Sequence, residues 1–315
     1  MAILGVLNLG NNSLSGRIEG TFPRNCGLNT LDLHGNFLEG KIHESLVNCT
    51  MLEVINLGKN KINDTYPCSL NNNTNLRVFV LRSNWLHGSV VCGQTQHNKW
   101  SKLQILDISS NHLNGEIPSN WFRQWVSITY KGVEVELVRI LKIFTSIDIS
   151  NNQFSGEIPR AIGQLKVLHV LNVSHNEFTG SIPPSMGDLS QLESLDMSSN
   201  KLSGKIPDAS LTFLAKFNLS YNQLKGRIPT SNQFLTFEND SYLGNKELCG
   251  VPLKRACTTS IVPVYALNSK ESNDEKVWQS ILYGMGVGAG SLIVISVLYI
   301  LWKEFSGIRR QTPRA

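Results

Sequence analysis

A solenoid of stacked α/β-type repeats, with short parallel strands on its concave face and a single transmembrane helix after it, is the fold this sequence predicts. Three observations predict it. Asparagine recurs at Asn12, Asn36, Asn60, Asn84, Asn111, Asn152, Asn176, Asn200 and Asn222, with most steps equal to 24 residues. Around each asparagine runs an apolar frame, L-x-x-L-x-L-x-x-N-x-L-x-G-x-I-P, seen in Leu192, Leu195, Met197, Asn200, Leu202, Gly204, Ile206 and Pro207. Beyond the last repeat, no charged residue occurs from Val277 to Trp302. A fixed period of this length means that one coil cannot close a core alone and must stack on its neighbours.

Each element of the frame has a physical reason. In the L-x-L run the side chains alternate, so the leucines face inward and the residues between them face outward along a ladder of short parallel strands. Asparagine suits the next position because its amide both donates to and accepts from backbone groups that a tight turn leaves unpaired. The nine asparagines are therefore expected to be structural. The closing G-x-I-P, as in Gly156, Ile158 and Pro159, supplies a permissive turn and then an extended flank. It recurs with Pro118, Pro159, Pro183, Pro207 and Pro229. The frame is that of a leucine-rich-repeat coil, and its ending resembles the plant-type extracellular form of that repeat.

The composition narrows the function. The repeat fills most of the 315 residues and leaves one elongated body. A net charge of +5, scattered along the chain, offers no basic stripe for nucleic acid. The seven histidines lie singly, with no H-E-x-x-H or paired Cys-x-x-Cys spacing, so neither a metal nor another cofactor is expected.

The cysteines say more by position than by number. Cys68 and Cys92 each follow a ladder asparagine by eight residues, which places them in adjacent coils about 4.8 Å apart, within disulfide reach. Cys26 and Cys49 precede Asn36 and Asn60 by ten and eleven residues, and Cys249 and Cys257 close a short loop after the last repeat. Three such pairs point to an oxidising compartment, the alternative being six thiols packed as small apolar groups. Seven N-x-S/T sequons, at Asn11, Asn48, Asn63, Asn72, Asn172, Asn218 and Asn239, are candidate glycosylation sites. Some arise by chance in an Asn- and Ser-rich repeat, and Asn172 and Asn218 fall within the strand motif.

The segment 277–302 is long enough to cross a hydrocarbon layer of about 30 Å as a helix. Trp278, Tyr283, Tyr299 and Trp302 flank it. Lys303, Arg309, Arg310 and Arg314 follow it and the slightly acidic SKESNDEK precedes it, so the positive-inside rule puts the repeats outside the cell. Within the span, Gly284 with Gly288 and Gly286 with Gly290 form two small-xxx-small pairs on different helix faces, suited to close packing against a partner helix. Glycine is also common in membrane helices generally. The amino terminus, MAILGVLNLGNN, enters a repeat directly without a secretory leader. The expectation is the carboxy-terminal portion of a longer receptor, or a truncated gene product.

One break in the period is large, while the step of 27 before it, from Asn84 to Asn111, is small enough to be only a longer turn. From Asn111 to Asn152 the step is 41 residues, 17 more than one coil. Extra residues must leave the solenoid as a loop, and loops on a rigid scaffold are where recognition concentrates. Tyr130, Lys131, Gly132, Glu134 and Glu136 are the most polar part of that insertion, and a tolerated surface insertion is the plain alternative.

In this order of parts the chain resembles a plant leucine-rich-repeat receptor-like protein, of the kind that includes surface immune receptors for Cladosporium and Verticillium pathogens. The correspondence runs through repeats 1–118, an island insertion 119–143 containing Lys131 and Gly132, four repeats 144–229, a cap 230–257 (NQFLTFENDSYLGNKELCGVPLKRAC), an acidic spacer 258–276, the span 277–302 and a short cytoplasmic tail 303–315. The island is shorter than is usual in that family. The resemblance implies that the island and the following repeats hold ligand and co-receptor. The candidates are the island residues above and, after them, Asp148, Ser150, His169, Asn172, Glu193 and Asp196.

The function expected is that of a kinase-lacking plasma-membrane receptor, single-pass with its repeats extracellular. It would bind an extracellular peptide, protein or glycan and signal in plant immunity through adaptor and co-receptor leucine-rich-repeat receptor kinases. An enzyme is not expected, because the 13-residue tail is too short for a kinase and neither kinase signatures nor a G-x-S-x-G elbow occurs. A developmental co-receptor for peptide signalling, a membrane-tethered inhibitor of secreted microbial enzymes and a truncated non-signalling fragment are the alternatives.

Overall fold

The computed structural model describes residues 4–257 apart from 19, 21, 94–99, 123–143, 209, 210, 212 and 231. Tyr130, Lys131, Gly132, Glu134 and Glu136 lie outside the described residues, as do the spacer, the segment 277–302 with Gly284, Gly286, Gly288 and Gly290, and the tail. Among the described residues no helix is long and apolar enough to cross a membrane.

Nine three-residue strands form one parallel sheet in chain order: Val6–Asn8, Thr30–Asp32, Val54–Asn56, Val78–Val80, Ile105–Asp107, Ser146–Asp148, Val170–Asn172, Ser194–Asp196 and Lys216–Asn218. The middle residue of each turns inward; Leu31, Ile55, Phe79, Leu106, Ile147, Leu171, Leu195 and Phe217 are buried, while the residues on either side face out. Burying side chains such as Leu52, Ile55, Leu57 and Ile62 of one coil contributes about 1.5–3 kcal/mol each, realised only when the next coil stacks on them. Shorter parallel ladders run along the flank, as between His112–Glu116 and Gln153–Glu157. The frame glycine starts this flank in a left-handed conformation; at Gly156 (φ 77°) a Cβ would also lie 2.8 Å from Cγ of Glu116.

The asparagine ladder is a shared hydrogen-bond spine. Asn60 donates to the carbonyls of Leu57 and Gly58 in its own coil and of Leu33 in the coil before, and accepts from the N–H of Leu38. The pattern repeats at Asn84, Asn176 and Asn200, and just before these rungs Lys59, Ser83, His175 and Ser199 hold φ of 52–55°. The left-handed residue turns the chain and leaves carbonyls inside, and the amide answers them. The spine crosses the long step intact. Asn152 accepts from Leu113 and donates to Ile108, and Ser146–Asp148 pairs in register with Ile105–Asp107.

Two details differ from the sequence reading. A tenth rung exists: Asn245, in the segment read only as a cap, donates to Leu219, Tyr242 and Leu243 and accepts from Leu224. With Glu247–Cys249 pairing onto Gln223–Arg227, the cap is a modified coil. At the start of the stretch assigned to the insertion, Ser119–Trp121 forms the 3-10 turn of an ordinary coil, with Trp121 and Phe122 buried. Trp121 packs with Trp100 and Tyr66 (ring centroids 6.1 and 5.6 Å), so large aromatic rings fill the core where the period lengthens.

All six cysteines are paired. Cys26–Cys49, Cys68–Cys92 and Cys249–Cys257 have Cα separations of 4.7, 5.6 and 5.0 Å. The first two bridge stacked coils, and the third ties the end of the cap back on itself.

Candidate functional site

Among the described residues, nine coils each contribute one strand to the outer face of a single sheet. Each strand contributes two outward residues, and parallel register aligns them into rows. One row reads Thr30, Val54, Val78, Ile105, Ser146, Val170, Ser194 and Lys216; the other reads Asp32, Asn56, Val80, Asp107, Asp148, Asn172, Asp196 and Asn218. Neighbouring residues in a row are about 4.8 Å apart.

Register brings Asp148, Asn172 and Asp196 side by side, yet much of their hydrogen-bonding capacity is used within the sheet. Asp148 accepts from Ser150 through both N–H (3.0 Å) and Oγ (2.6 Å), and its second oxygen accepts from Asn172 Nδ2 at 3.2 Å. Asn172 in turn accepts from Ser174, and Asp196 from Ser198. These residues brace the turn after each strand. His169 is half-buried, 5.5 Å from the Phe144 ring centroid and 3.3 Å from Thr145 Oγ1. Glu193 is exposed beside it, its N–H bonded to the His169 carbonyl.

Upstream of the long step lies a second cluster that the sequence reading passed over. Arg77 donates through Nε to Gln104 (2.9 Å) and lies 3.6 Å from Glu53; Arg82 lies 3.6 Å from Asp107. Burial pushes the Asp107 carboxyl above its ordinary range and the neighbouring Asp148 adds to this, while hydrogen bonds from Ser109 and the charge of Arg82 hold it back in part. The available signal was positional: Val80 and Arg82 stand where other coils carry Asp or Asn and then, His34 apart, Gly or Ser.

Among the candidate glycosylation sites, Asn11, Asn63, Asn72 and Asn239 are exposed. Asn48 is half-buried and donates to the Phe22 carbonyl, and Asn172 and Asn218 are half-buried on the sheet. Among the described residues no group of three or more His, Cys, Asp or Glu is placed to hold a metal ion. The face offers an aligned field of donors, acceptors and aliphatic groups on a rigid scaffold, which is chemistry for recognition.

Family models described as leucine-rich repeats match residues 27–49, 48–65, 102–123 and 144–202. Receptor-like protein 18 of Arabidopsis thaliana is 41% identical over 191 residues, covering 52% of this chain and 22% of the relative. The chain carries leucine-rich repeats and is similar over them to plant receptor-like proteins. It spans about a fifth of the length of that relative. Its fold is similar to that of a plant ice-binding protein (TM-score 0.65, 26% identity, covering 82% of this chain and 76% of the other). It is also similar to that of the Arabidopsis receptor kinase HAESA, solved in complex with the peptide hormone IDA and the co-receptor SERK1 (TM-score 0.58, 33% identity, covering 78% of this chain and 42% of the other).

Proposed function

We propose that this chain is the repeat-bearing part of a cell-surface receptor-like protein without catalytic activity. It binds an extracellular ligand on the outer face of its sheet and signals in plant immunity through partner receptor kinases. The observation that carries the reading is the face itself: nine strands in unbroken register, braced from within, presenting a surface that differs from coil to coil. The three disulfides fit an extracellular setting. In this reading the segment 277–302 crosses the plasma membrane, and Gly284 with Gly288 or Gly286 with Gly290 packs against the kinase's membrane helix. The insertion, with Tyr130, Lys131, Gly132, Glu134 and Glu136, joins His169 and Glu193 in holding ligand or co-receptor. Glycans sit at Asn11, Asn63, Asn72 and Asn239.

A developmental role in peptide signalling is the second reading, supported by the likeness to a receptor kinase solved with a peptide hormone. Both readings are tested by displaying the full chain, tagged at its carboxy terminus, on plant protoplasts. Protease added outside should remove the repeats and spare the tag, and a receptor kinase should co-purify in greater yield after exposure to extracellular microbial fractions. A greater yield after exposure to the plant's own peptide fraction favours the developmental reading. Protected repeats, or a kinase yield that no fraction changes, overturn the receptor reading.

A further inference from the structure

In eight coils, the outward Asp or Asn at the end of the strand accepts the N–H of the residue two positions on: Asn8 from Gly10, Asp32 from His34, Asn56 from Gly58, Asp107 from Ser109, Asp148 from Ser150, Asn172 from Ser174, Asp196 from Ser198 and Asn218 from Ser220. The coil of Val78–Val80 abandons this brace. It has Val80 at the acceptor position and Arg82 two positions on, an aliphatic side chain and a cation where all eight other coils have an acceptor and seven of them a Gly or Ser partner. A local rule broken in one coil and kept in eight marks a place where something other than folding chooses the residue.

The surroundings are shaped to that exception. Register sets Val54, Val78 and Ile105 side by side, and Val80 lies in the next row between Asn56 and Asp107. All four aliphatic side chains face out and are half-buried, whereas the same rows elsewhere carry mostly Thr, Ser, Asp and Asn. In the preceding coil Gly58 leaves a notch. A Cβ there would lie 2.9 Å from Cγ of Arg82 and 3.3 Å from Cγ1 of Val80, so the Arg82 stem lies across bare backbone. The Arg82 side chain remains 49% exposed, and its guanidinium makes one long contact, 3.6 Å, to Asp107. Lys59 is exposed next to the notch. A guanidinium held this loosely retains its fork for a carboxylate, which it can bind through two parallel hydrogen bonds.

We propose that Val54, Val78, Val80 and Ile105, bordered by Arg82, form a docking strip for an extended peptide that carries an aliphatic side chain next to a carboxylate. The aliphatic side chain covers the valine and isoleucine row, and the carboxylate displaces Asp107 from Arg82. Charge complementarity selects the occupant: Arg82, held only by its 3.6 Å contact to Asp107, and the exposed Lys59 at this border call for an acid. The proposal rests on the receptor reading and places the contact upstream of the insertion.

The test uses the full chain and two synthetic decapeptide libraries, one with free and one with amidated carboxy termini. They are selected in parallel on the native protein and on the double variant Val80→Asn, Arg82→Ser. That variant restores the Asn-x-Ser brace of the other coils, and its thermal midpoint should match or exceed the native one. The native protein should enrich peptides with Leu, Ile or Val within two residues of Asp, Glu or a free carboxy terminus. The double variant should bind them at least about tenfold more weakly, a difference of about 1.4 kcal/mol. Loss on amidation assigns the carboxylate to the terminus, and loss on Asp→Asn or Glu→Gln exchange in the peptide assigns it to a side chain. Equal binding by the double variant overturns the strip. If binding is lost instead with His169→Ala and Glu193→Ala, the receptor reading stands and the strip does not. Enrichment of no peptide on the native protein overturns the strip and removes peptides from the ligands of the receptor reading.

Discussion

An asparagine amide has two N–H donors and one oxygen with two lone pairs, and the ladder uses both ends of it in two coils at once. The carbonyl of Leu33 accepts from Asn36 as well as Asn60, so loss of one amide does not strip every partner. The N–H of Leu38 has only Asn60. Asn60→Ala should therefore cost about 2–3 kcal/mol, a buried orphan donor plus weakened carbonyls, read as a lower midpoint in urea. Asn60→Asp restores the acceptor for Leu38 but turns a carboxylate toward three carbonyls. It should be at least as damaging at neutral pH and recover part of the loss in acid, where the added group is protonated. Asp107 carries a pH dependence of its own. Its carboxyl is raised above the ordinary value of about 3.9, so between that value and the folded one the native state holds more protons than the unfolded chain. Stability from this group is accordingly greatest in acid and falls as pH rises through that window. Asp107→Asn keeps the acceptor for Ser109, removes the term, and should give a shallower decline of the melting midpoint with rising pH. An unchanged pH profile would show that Asp107 titrates normally.

At the scale of the coil, the disulfides act on the unfolded chain more than on the folded one. Cys68 and Cys92 are 24 residues apart, and closing a loop of that size removes unfolded-state entropy worth about 3.5 kcal/mol. Replacing both with serine should lower stability by up to that amount, and the eight-residue separation of Cys249 and Cys257 predicts a smaller loss, about 2.5 kcal/mol. The pairing of Cys68 with Cys92 was legible because a fixed period converts sequence distance into a position within the coil. The same arithmetic gave the strands, the nine rungs and the outward rows. It failed where a coil is disguised. Asn245 stands 23 residues after Asn222 and has Tyr242 and Leu248 around it, but aromatic residues replace the frame leucines and hid the rung. For the binding face the period says less. Asp148, Ser150, Asn172 and Asp196 are candidates that the family resemblance implies, and the Asp/Asn-x-Ser pair to which they belong recurs at Asp107 and Asn218 and braces the backbone each time. Recurrence there signalled folding. The departure at Val80 and Arg82 is one coil's exception, and an exception is visible only once the hydrogen bonds that make the rule are known.

For the repeat body as a whole, each coil leans only on its neighbours, so stability adds along the stack and the last coil needs a cover of its own. The cap supplies it. Phe217, in the ninth strand, is packed by Phe234, Phe237 and Tyr242, with ring centroids 5.5, 5.0 and 5.8 Å away. Tyr242 is fully buried, its hydroxyl donating to the Phe234 carbonyl at 3.1 Å, and burial pushes that hydroxyl's pKa up, so it stays protonated as a donor. Beside it, Leu211, Phe217 and Phe234 line an apolar cavity of about 20 Å³, where the step from Asn200 to Asn222 is two residues short of the common period. The core is thus not fully packed under the cap. Tyr242→Ala should cost about 3–5 kcal/mol, the usual range for removing a buried aromatic ring. In a stack held by nearest neighbours that loss should stay local. Hydrogen exchange should accelerate at Lys216–Asn218 and Ser194–Asp196, while Thr30–Asp32 and Val54–Asn56 keep their native protection. Equal acceleration in all four strands would mean that the repeats unfold as one unit, and that the asparagine spine couples distant coils more strongly than their separate cores do.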